Sequence, residues 1–371
     1  MRFNNAPYKE YNLYEFATRI TRKNKDNVSN LPLTISAQYG LVDQVSFFNK
    51  TVASKDMSGY YLLKNGEFAY NKSYSNDYPW GAIKRLDLYD MGCLSTLYIC
   101  FKTNDNIVNS NYLVHYFESS KWHKQVADIA GEGARNHGLL NIAVNAFFNT
   151  KHAVPTIENQ IKIAGFLDLI EERIQTQIKI INDYKLLKKY ITKSFIKQKG
   201  TSYLLSEIAE LGRGRVISSA EISKQKNPIY PVYSSQTSNN GVMGYLDNYD
   251  YEGEYITWTT DGANAGTVYY RNGKFNCTNV CGILKIKNGY DAYYISNILN
   301  CHTKKYVSTN LANPKLMNNV MANIKINLPS IERQKYFSNI LKAIEYRVKI
   351  EQDIKLNLAK QKVFLLKNMF L

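Results

Sequence analysis

Val154-Pro155-Thr156-Ile157-Glu158-Asn159-Gln160 has a second copy 174 residues further on, as Leu328-Pro329-Ser330-Ile331-Glu332-Arg333-Gln334. Proline, isoleucine, glutamate and glutamine are unchanged, and serine replaces threonine. The match continues at the same offset. Leu167, Ile170, Glu171, Arg173, Ile180, Lys188 and Lys193 recur as Leu341, Ile344, Glu345, Arg347, Ile354, Lys362 and Lys367. Identities scattered in one register over so long a stretch mark an internal duplication.

Each copy opens like a helix. Thr156 or Ser330 can accept from the free amides of a first turn, a proline stands just before it, and a glutamate lies two positions on. Gln160 and Gln334 fall one position later than a capping box requires, so the cap is expected without the box. Beyond Gly165, neither copy meets a proline or glycine for roughly 40 residues. Leu167, Ile170, Ile174, Ile181, Tyr184, Ile191 and Phe195 recur at helical spacing with charged residues between them. In the second copy Leu341, Ile344, Val348, Leu358, Leu365 and Met369 keep the phase, although Glu351, Lys355 and Lys362 interrupt it. Such a helix is about 60 Å long at 1.5 Å per residue, too long for one domain's core. Two long amphipathic helices of equal length bury their stripes most readily against each other.

A chain of 371 residues suits two cores rather than one. Lys and Arg total 47 against 31 Asp and Glu, a formal charge of +16 that suits a polyanionic partner, nucleic acid first. Charge alone decides little, since an AT-rich genome also favours Lys, Asn, Tyr and Ile codons. No run of signal-peptide length opens the chain and none approaches the roughly 18 apolar residues of a membrane span, so a cytoplasmic protein is expected.

Two globules alternate with the two helices. Residues 1 to about 150 read as mixed α and β, with β-type runs at Leu31–Ser36, Glu67–Tyr70 and Leu94–Phe101, a turn at residues 64–66 and helical stretches near Tyr112–Ala130. A second globule follows Gln198-Lys199-Gly200, carries turn signals at Gly212-Arg213-Gly214, Asn239-Asn240-Gly241, Asp261-Gly262 and Arg271-Asn272-Gly273, and ends at Leu328. The globules echo each other in order. Leu13-Tyr14-Glu15-Phe16-Ala17 resembles Leu205-Ser206-Glu207-Ile208-Ala209, Pro32 and Gln38 resemble Pro231 and Gln236, and Gly66–Tyr70 resembles Gly253–Thr257.

Catalytic signatures are missing. There is no phosphate-binding loop, no amino-methyltransferase motif at Asn227-Pro228 or Asn313-Pro314, and no metal-ligand spacing among the five histidines. Cys277 and Cys281 stand at a ligand-like interval without a second pair, so free thiols are expected, with no metal and no cofactor. What both globules do carry is loops mixing basic, amide and aromatic residues, which suit phosphate neutralisation and base-edge contacts. The DNA-binding candidates in the first are Gln38, Lys72, Ser73, Tyr74, Lys84, Arg85, Arg135 and Asn136. In the second they are Gln236, Asn239, Thr260, Asn264, Arg271 and Lys274.

With these features the chain resembles, over nearly its whole length, the specificity (S) subunits of type I restriction-modification systems. The likeness rests on the Pro-Thr/Ser-Ile-Glu-x-Gln start of each helix, the run Gly66-Glu67-Phe68-Ala69-Tyr70-Asn71-Lys72-Ser73-Tyr74-Ser75, and the tail from Gln361-Lys362 to Met369-Phe370. It implies two tandem α/β (α+β) target-recognition domains, at residues 1–153 and 200–327. Each is followed by a conserved helical spacer, at 154–199 and 328–371, and the spacers form an antiparallel coiled coil. It implies that each domain reads one half of a bipartite, asymmetric site in double-stranded DNA. The helix pair, with Leu167, Ile170, Ile174, Ile181, Leu341, Ile344, Val348, Leu358 and Leu365, would hold the domains apart and dock two methyltransferase (modification) subunits, to which restriction-translocase subunits add. The chain itself would catalyse nothing. The first globule starts almost at Met1, without the leading segment many members carry. The alternative is a stand-alone basic coiled-coil nucleic-acid-binding or scaffold protein without such partners.

Overall fold

The computed structural model describes residues 7–36, 39–75, 78–131, 138–196, 198–308 and 313–370. The chain divides into two compact units. The first takes the residues up to Gln177 and those from Ile354 onward, and the second takes Ile178–Asp353.

The first unit runs β1 (Tyr8–Asn12), α1 (Leu13–Phe16), β2 (Ala17–Ile20), β3 (Leu33–Ser36), β4 (Gly40–Asp43), α2 (Gln44–Phe48), β5 (Tyr61–Lys64) and β6 (Phe68–Asn71). It continues with β7 (Ala82–Arg85), β8 (Met91–Leu94), β9 (Ile99–Thr103), α3 (Ser110–Glu118), α4 (His123–Ile129), α5 (Val144–Phe148) and β10 (Lys151–Pro155), and then enters α6 (Ile157–Ile196). Its central sheet has the antiparallel order β2-β9-β6-β7. Alternation along these strands serves two cores. Phe68, Tyr70, Ile83, Ile99 and Phe101 face α3, α5 and the start of α6, while Ala69, Ala82 and Cys100 face Leu33, Leu41, Leu63 and Leu94 of the two-stranded pairs β3–β4 and β5–β8. A sheet buried on both faces reads as an unbroken apolar run. The helical stretches expected over Tyr112–Ala130 are α3 and α4, and Ser119 closes α3 by donating its hydroxyl to the Tyr116 carbonyl at 2.6 Å.

The second unit runs β11 (Thr201–Leu204), α7 (Leu205–Ile208), β12 (Ala209–Arg213), α8 (Ser219–Ser223), β13 (Tyr230–Tyr233), β14 (Val242–Leu246), β15 (Tyr251–Thr259) and β16 (Val268–Cys277). After these come β17 (Cys281–Ile286), α9 (Ala292–His302), α10 (Asn318–Ala322), β18 (Lys325–Leu328) and α11 (Ile331–Asn368), whose first part lies in this unit. The sheet order is β12-β17-β15-β16-β13-β14, and its first four strands match those of the first unit in chain role and direction. Trp258 is fully buried, and Gly282 on the paired strand makes room for it. A Cβ there would lie 2.1 Å from the indole ring.

The duplication is three-dimensional down to single hydrogen bonds. Glu15 accepts from the Asn12 amide at 2.7 Å and Glu207 from the Leu204 amide at 2.6 Å, closing the same four-residue helix in each unit. Gln160 and Gln334, only 1% and 2% exposed, carry the most telling repeat. The Gln160 Nε2 donates to the Pro155 carbonyl at 2.8 Å, and its Oε1 accepts at 2.7 Å from the amide of Asn109, the N-cap of α3. The Gln334 Nε2 donates to the Pro329 carbonyl at 2.8 Å, and its Oε1 accepts at 3.0 Å from the amide of Asp291, the N-cap of α9. The glutamine one place too late for a capping box therefore ties the long helix to the helix of the globule. Thr156, expected as a backbone cap, instead accepts from the side-chain amide of Asn159 at 3.0 Å.

The long helices pair antiparallel within each unit. In the first, Leu167 of α6 shares a core with Met369 and Phe370, which directly follow α11, and Glu171 meets Lys362 of α11 at 2.7 Å. In the second, Phe195 shares a core with Phe337 and Leu341, and Lys188 pairs with Glu345. Glu171 and Glu345 are repeat equivalents, as are Lys188 and Lys362, so each bridge is the other with the helices exchanged. Of the expected seam, Leu167, Ile170, Ile174, Ile181, Leu341, Ile344 and Leu358 are buried, and Val348 and Leu365 are half-buried.

Lys362, which interrupts the apolar phase, sits between Glu171 and Glu118 of α3, 2.8 Å from the latter. Burial works to lower the Lys362 pKa, but the two carboxylates outweigh it and hold the ammonium above its ordinary value. Burial likewise works to raise Glu118 and Glu171, yet Lys84 and Lys362 for the first, and Lys362 with Gln175 for the second, keep both below the ordinary carboxyl range.

Two outcomes follow from these contacts. Gln334→Leu strands the Asp291 amide and the Pro329 carbonyl, and should cost about 2–4 kcal/mol in denaturant unfolding. A change under about 0.5 kcal/mol would mean the tie is replaceable. Lys362→Met should cost about 2 kcal/mol at neutral pH, less than a fully buried pair because Glu171 is partly in water. Because both folded carboxyl pKa values are lowered, this contribution is complete above about pH 4.3 and is lost as pH falls through the folded values. The stability curves of wild type and variant should converge in acid, and a constant gap down to pH 2 would contradict the assignment.

Candidate nucleic-acid interface

The loops singled out in the sequence fall into three groups. Gln38, Arg135 and Asn136 lie outside the described residues. In the first unit, Lys72, Ser73 and Tyr74 form one exposed edge zipped against residues 138–140. The Leu140 amide donates to the Lys72 carbonyl at 2.9 Å, Ser73 bridges to Leu139, and the Tyr74 amide donates to the Gly138 carbonyl at 3.1 Å. Ser73 and Tyr74 are exposed, and Lys72 has no ion-pair partner among the described residues.

Lys84 and Arg85 depart from expectation. On β7 both face inward to acidic and polar partners rather than to solvent. Lys84 pairs with Glu118 at 3.3 Å. The Arg85 Nε pairs with Asp87 at 2.6 Å, while its Nη1 donates to Ser110 at 2.8 Å and Asn111 at 2.7 Å at the start of α3. Their side chains keep only 14% and 17% of their exposure, so they hold the globule together and are not free phosphate contacts.

In the second unit, Gln236 and Asn264 line one polar cleft of about 490 Å³ together with Asp261, Thr278 and Asn279. Asn264 donates to the Thr237 hydroxyl at 3.1 Å, coupling the 260s loop to the loop that follows β13. Gln236 donates to the Val242 carbonyl across the neck of that second loop, which carries exposed Asn239. Thr260 lies beneath the cleft, fully buried, with its hydroxyl donating to Asp261 at 2.6 Å or to the Val280 carbonyl at 2.9 Å. Lys274 is exposed, but it sits beside Glu252 at the open end of the β15–β16 hairpin, away from the turn end where Trp258 pairs with Val268 and the 260s loop borders the cleft. Arg271 is the largest departure. It is 4% exposed and buried beneath the loop, so it is not a surface contact at all.

Buried ionisable groups elsewhere serve the core. His152 is pushed by burial down to about 4 and sits between the Tyr116 hydroxyl at 2.9 Å and the Thr150 hydroxyl at 2.8 Å. All five cysteines are free, four of them buried and Cys301 exposed. Among the described residues no cluster of His, Cys, Asp and Glu has a metal-binding arrangement, and no helix is long and apolar enough to cross a membrane. The sequence reading missed Tyr233 and Tyr269, which flank Arg271. Their only signal was an aromatic-rich strand.

Residues 199–360 match the family model described as the type I restriction modification DNA specificity domain. A Mycoplasma pneumoniae chain named as a type I specificity subunit, S.MpnORF201P, is 39% identical over 196 residues, 52% of this chain and 81% of that one. Another, S.MpnORF615P from the same organism, is 38% identical over 200 residues, 52% of this chain and 79% of that one. The crystal structure of a type I restriction-modification S subunit from M. genitalium matches 99% of this chain and 97% of its own at 14% identity, with a TM-score of 0.61. A chain from a structure of a type I restriction-modification system matches with the same TM-score at 16% identity, over 99% of this chain and 98% of that one.

Lys72→Ala should weaken DNA binding at all sequences and lower the slope of log affinity against log salt by about one. Arg85→Ala should lower thermal stability and leave that slope unchanged. Salt titrations of both variants check the pair, and a lowered slope for Arg85→Ala would return that residue to the interface.

Proposed function

We propose how the work is divided in this chain, which belongs to the specificity subunits of type I restriction-modification systems, their non-catalytic recognition components. Each unit reads one half of a bipartite, asymmetric DNA site with its loops. The helix pair carries the units, sets the unread gap between the half-sites, and offers two equivalent surfaces to two modification subunits, through which restriction-translocase subunits join.

One observation carries this reading. The same scaffold is built twice, with the same order of four sheet strands, the same glutamine tie and the same helix pairing, while the loops on it differ. A scaffold held constant with variable loops suits two different sequences read by one mechanism, and a duplicated helix interface suits two copies of one partner. The charge of +16 supplies the sequence-independent part of DNA affinity.

Methylation-site sequencing of cells carrying this chain with a modification partner tests the proposal. The expected result is a motif of two short, unlike half-sites at a fixed gap, absent when the chain is deleted. Methylation at one continuous motif, or methylation unchanged by the deletion, would overturn it.

A further inference from the structure

Arg271 is a buried charge that forms no ion pair with a carboxylate among the described residues. Its guanidinium carbon lies 3.5 Å from the ring centre of Tyr233 and 4.4 Å from that of Tyr269, so two aromatic rings hold it. Its Nε donates to the Thr257 hydroxyl at 3.2 Å, and its Nη2 donates to the Asn240 carbonyl at 2.9 Å. A desolvated guanidinium without an acidic partner is costly and must be held by what surrounds it. Here what it reaches is the backbone of one loop.

That loop is in an unusual state. Asn239 and Asn240 both adopt left-handed backbone, φ 47° and 54°, and Gly241 follows at φ 84°. Consecutive left-handed L-residues are disfavoured and persist only where the surroundings over-determine them. The Ser234 amide closes the neck on the Gly241 carbonyl at 2.9 Å, and Asn264 reaches across to Thr237. The result is an exposed pair of asparagines on a loop whose flanking residues Gln236 and Thr237 join it to the polar cleft, Gln236 by lining the cleft and Thr237 by accepting from Asn264. Asparagine amides on a fixed backbone suit the adenine edge in the major groove.

We infer that Arg271 is a positioning residue for base reading: wedged between Tyr233 and Tyr269, it presets the Asn239-Asn240 loop of the second unit in the conformation that reads one half-site. The inference rests on the DNA-reading function proposed above. Arginine is required because it stacks on both rings while donating in two directions, and lysine offers a charge without that planar fork.

The full chain, assembled with its modification partner, is tested by selection from a randomised duplex pool, with a salt titration of binding beside it. Arg271→Lys should lower the preference for one half-site by about tenfold or more, leave the other half-site intact, and leave the salt slope unchanged. Gly241→Ala acts on the same loop from the other side. Its Cβ would fall 3.1 Å from the Arg271 Nη2, on a backbone that alanine tolerates poorly, and it should reproduce the selective loss even if Arg271→Lys fails to fold. Retained preference in Gly241→Ala overturns the inference. So does a folded Arg271→Lys chain that keeps its half-site preference. A wild-type complex that selects no sequence would instead sink the reading beneath the inference.

Discussion

A single side-chain amide, used twice, fixes how this chain is built. Gln160 and Gln334 each accept from the amide that caps the helix of a globule and donate to the proline carbonyl just ahead of a long helix. Both are almost wholly buried. An unpaired buried amide or carbonyl costs about 1–3 kcal/mol, so the tie specifies one docking angle and penalises others. The strand pairs β1–β10 and β11–β18, and the short helices α1 and α7, sit next to these ties in both units and repeat with them.

The charged contacts extend that constraint unevenly. In the second unit Lys188 meets Glu345, and in the first the equivalent Lys362 meets Glu171. In the first a further carboxylate joins, Glu118 of α3, which brings Lys84 with it and anchors the globule to the second long helix by charge as well as by core. A partly buried cluster of this kind contributes less to net stability than to choosing one arrangement, since desolvation offsets much of the attraction. The cation that breaks the apolar phase in the sequence is thus satisfied by a residue far away in the chain.

Much of this was legible beforehand, for physical reasons. The long helices are legible because a stripe at helical spacing without proline or glycine has few other ways to bury itself. The Leu13–Ala17 echo is legible because both copies need the same glutamate to close a four-residue turn. Side-chain destinations were not. Lys84, Arg85 and Arg271 look like nucleic-acid contacts by type, and their burial is decided with Glu118, Ser110, Asn111 and Tyr233, which the sequence does not place beside them. The glutamine tie was visible as a repeated letter, but its partners at Asn109 and Asp291 stand 51 and 43 residues away.

Native-state amide hydrogen exchange tests the central claim most directly. If the glutamine ties fix both units, the amides of Asn109 and Asp291 exchange only when their unit opens, with protection equal to that of core strand amides at Phe101 and Leu284. N-cap amides are otherwise unpaired and exchange quickly. Fast exchange at either position, at rates typical of exposed loops, would contradict a scaffold built on that contact.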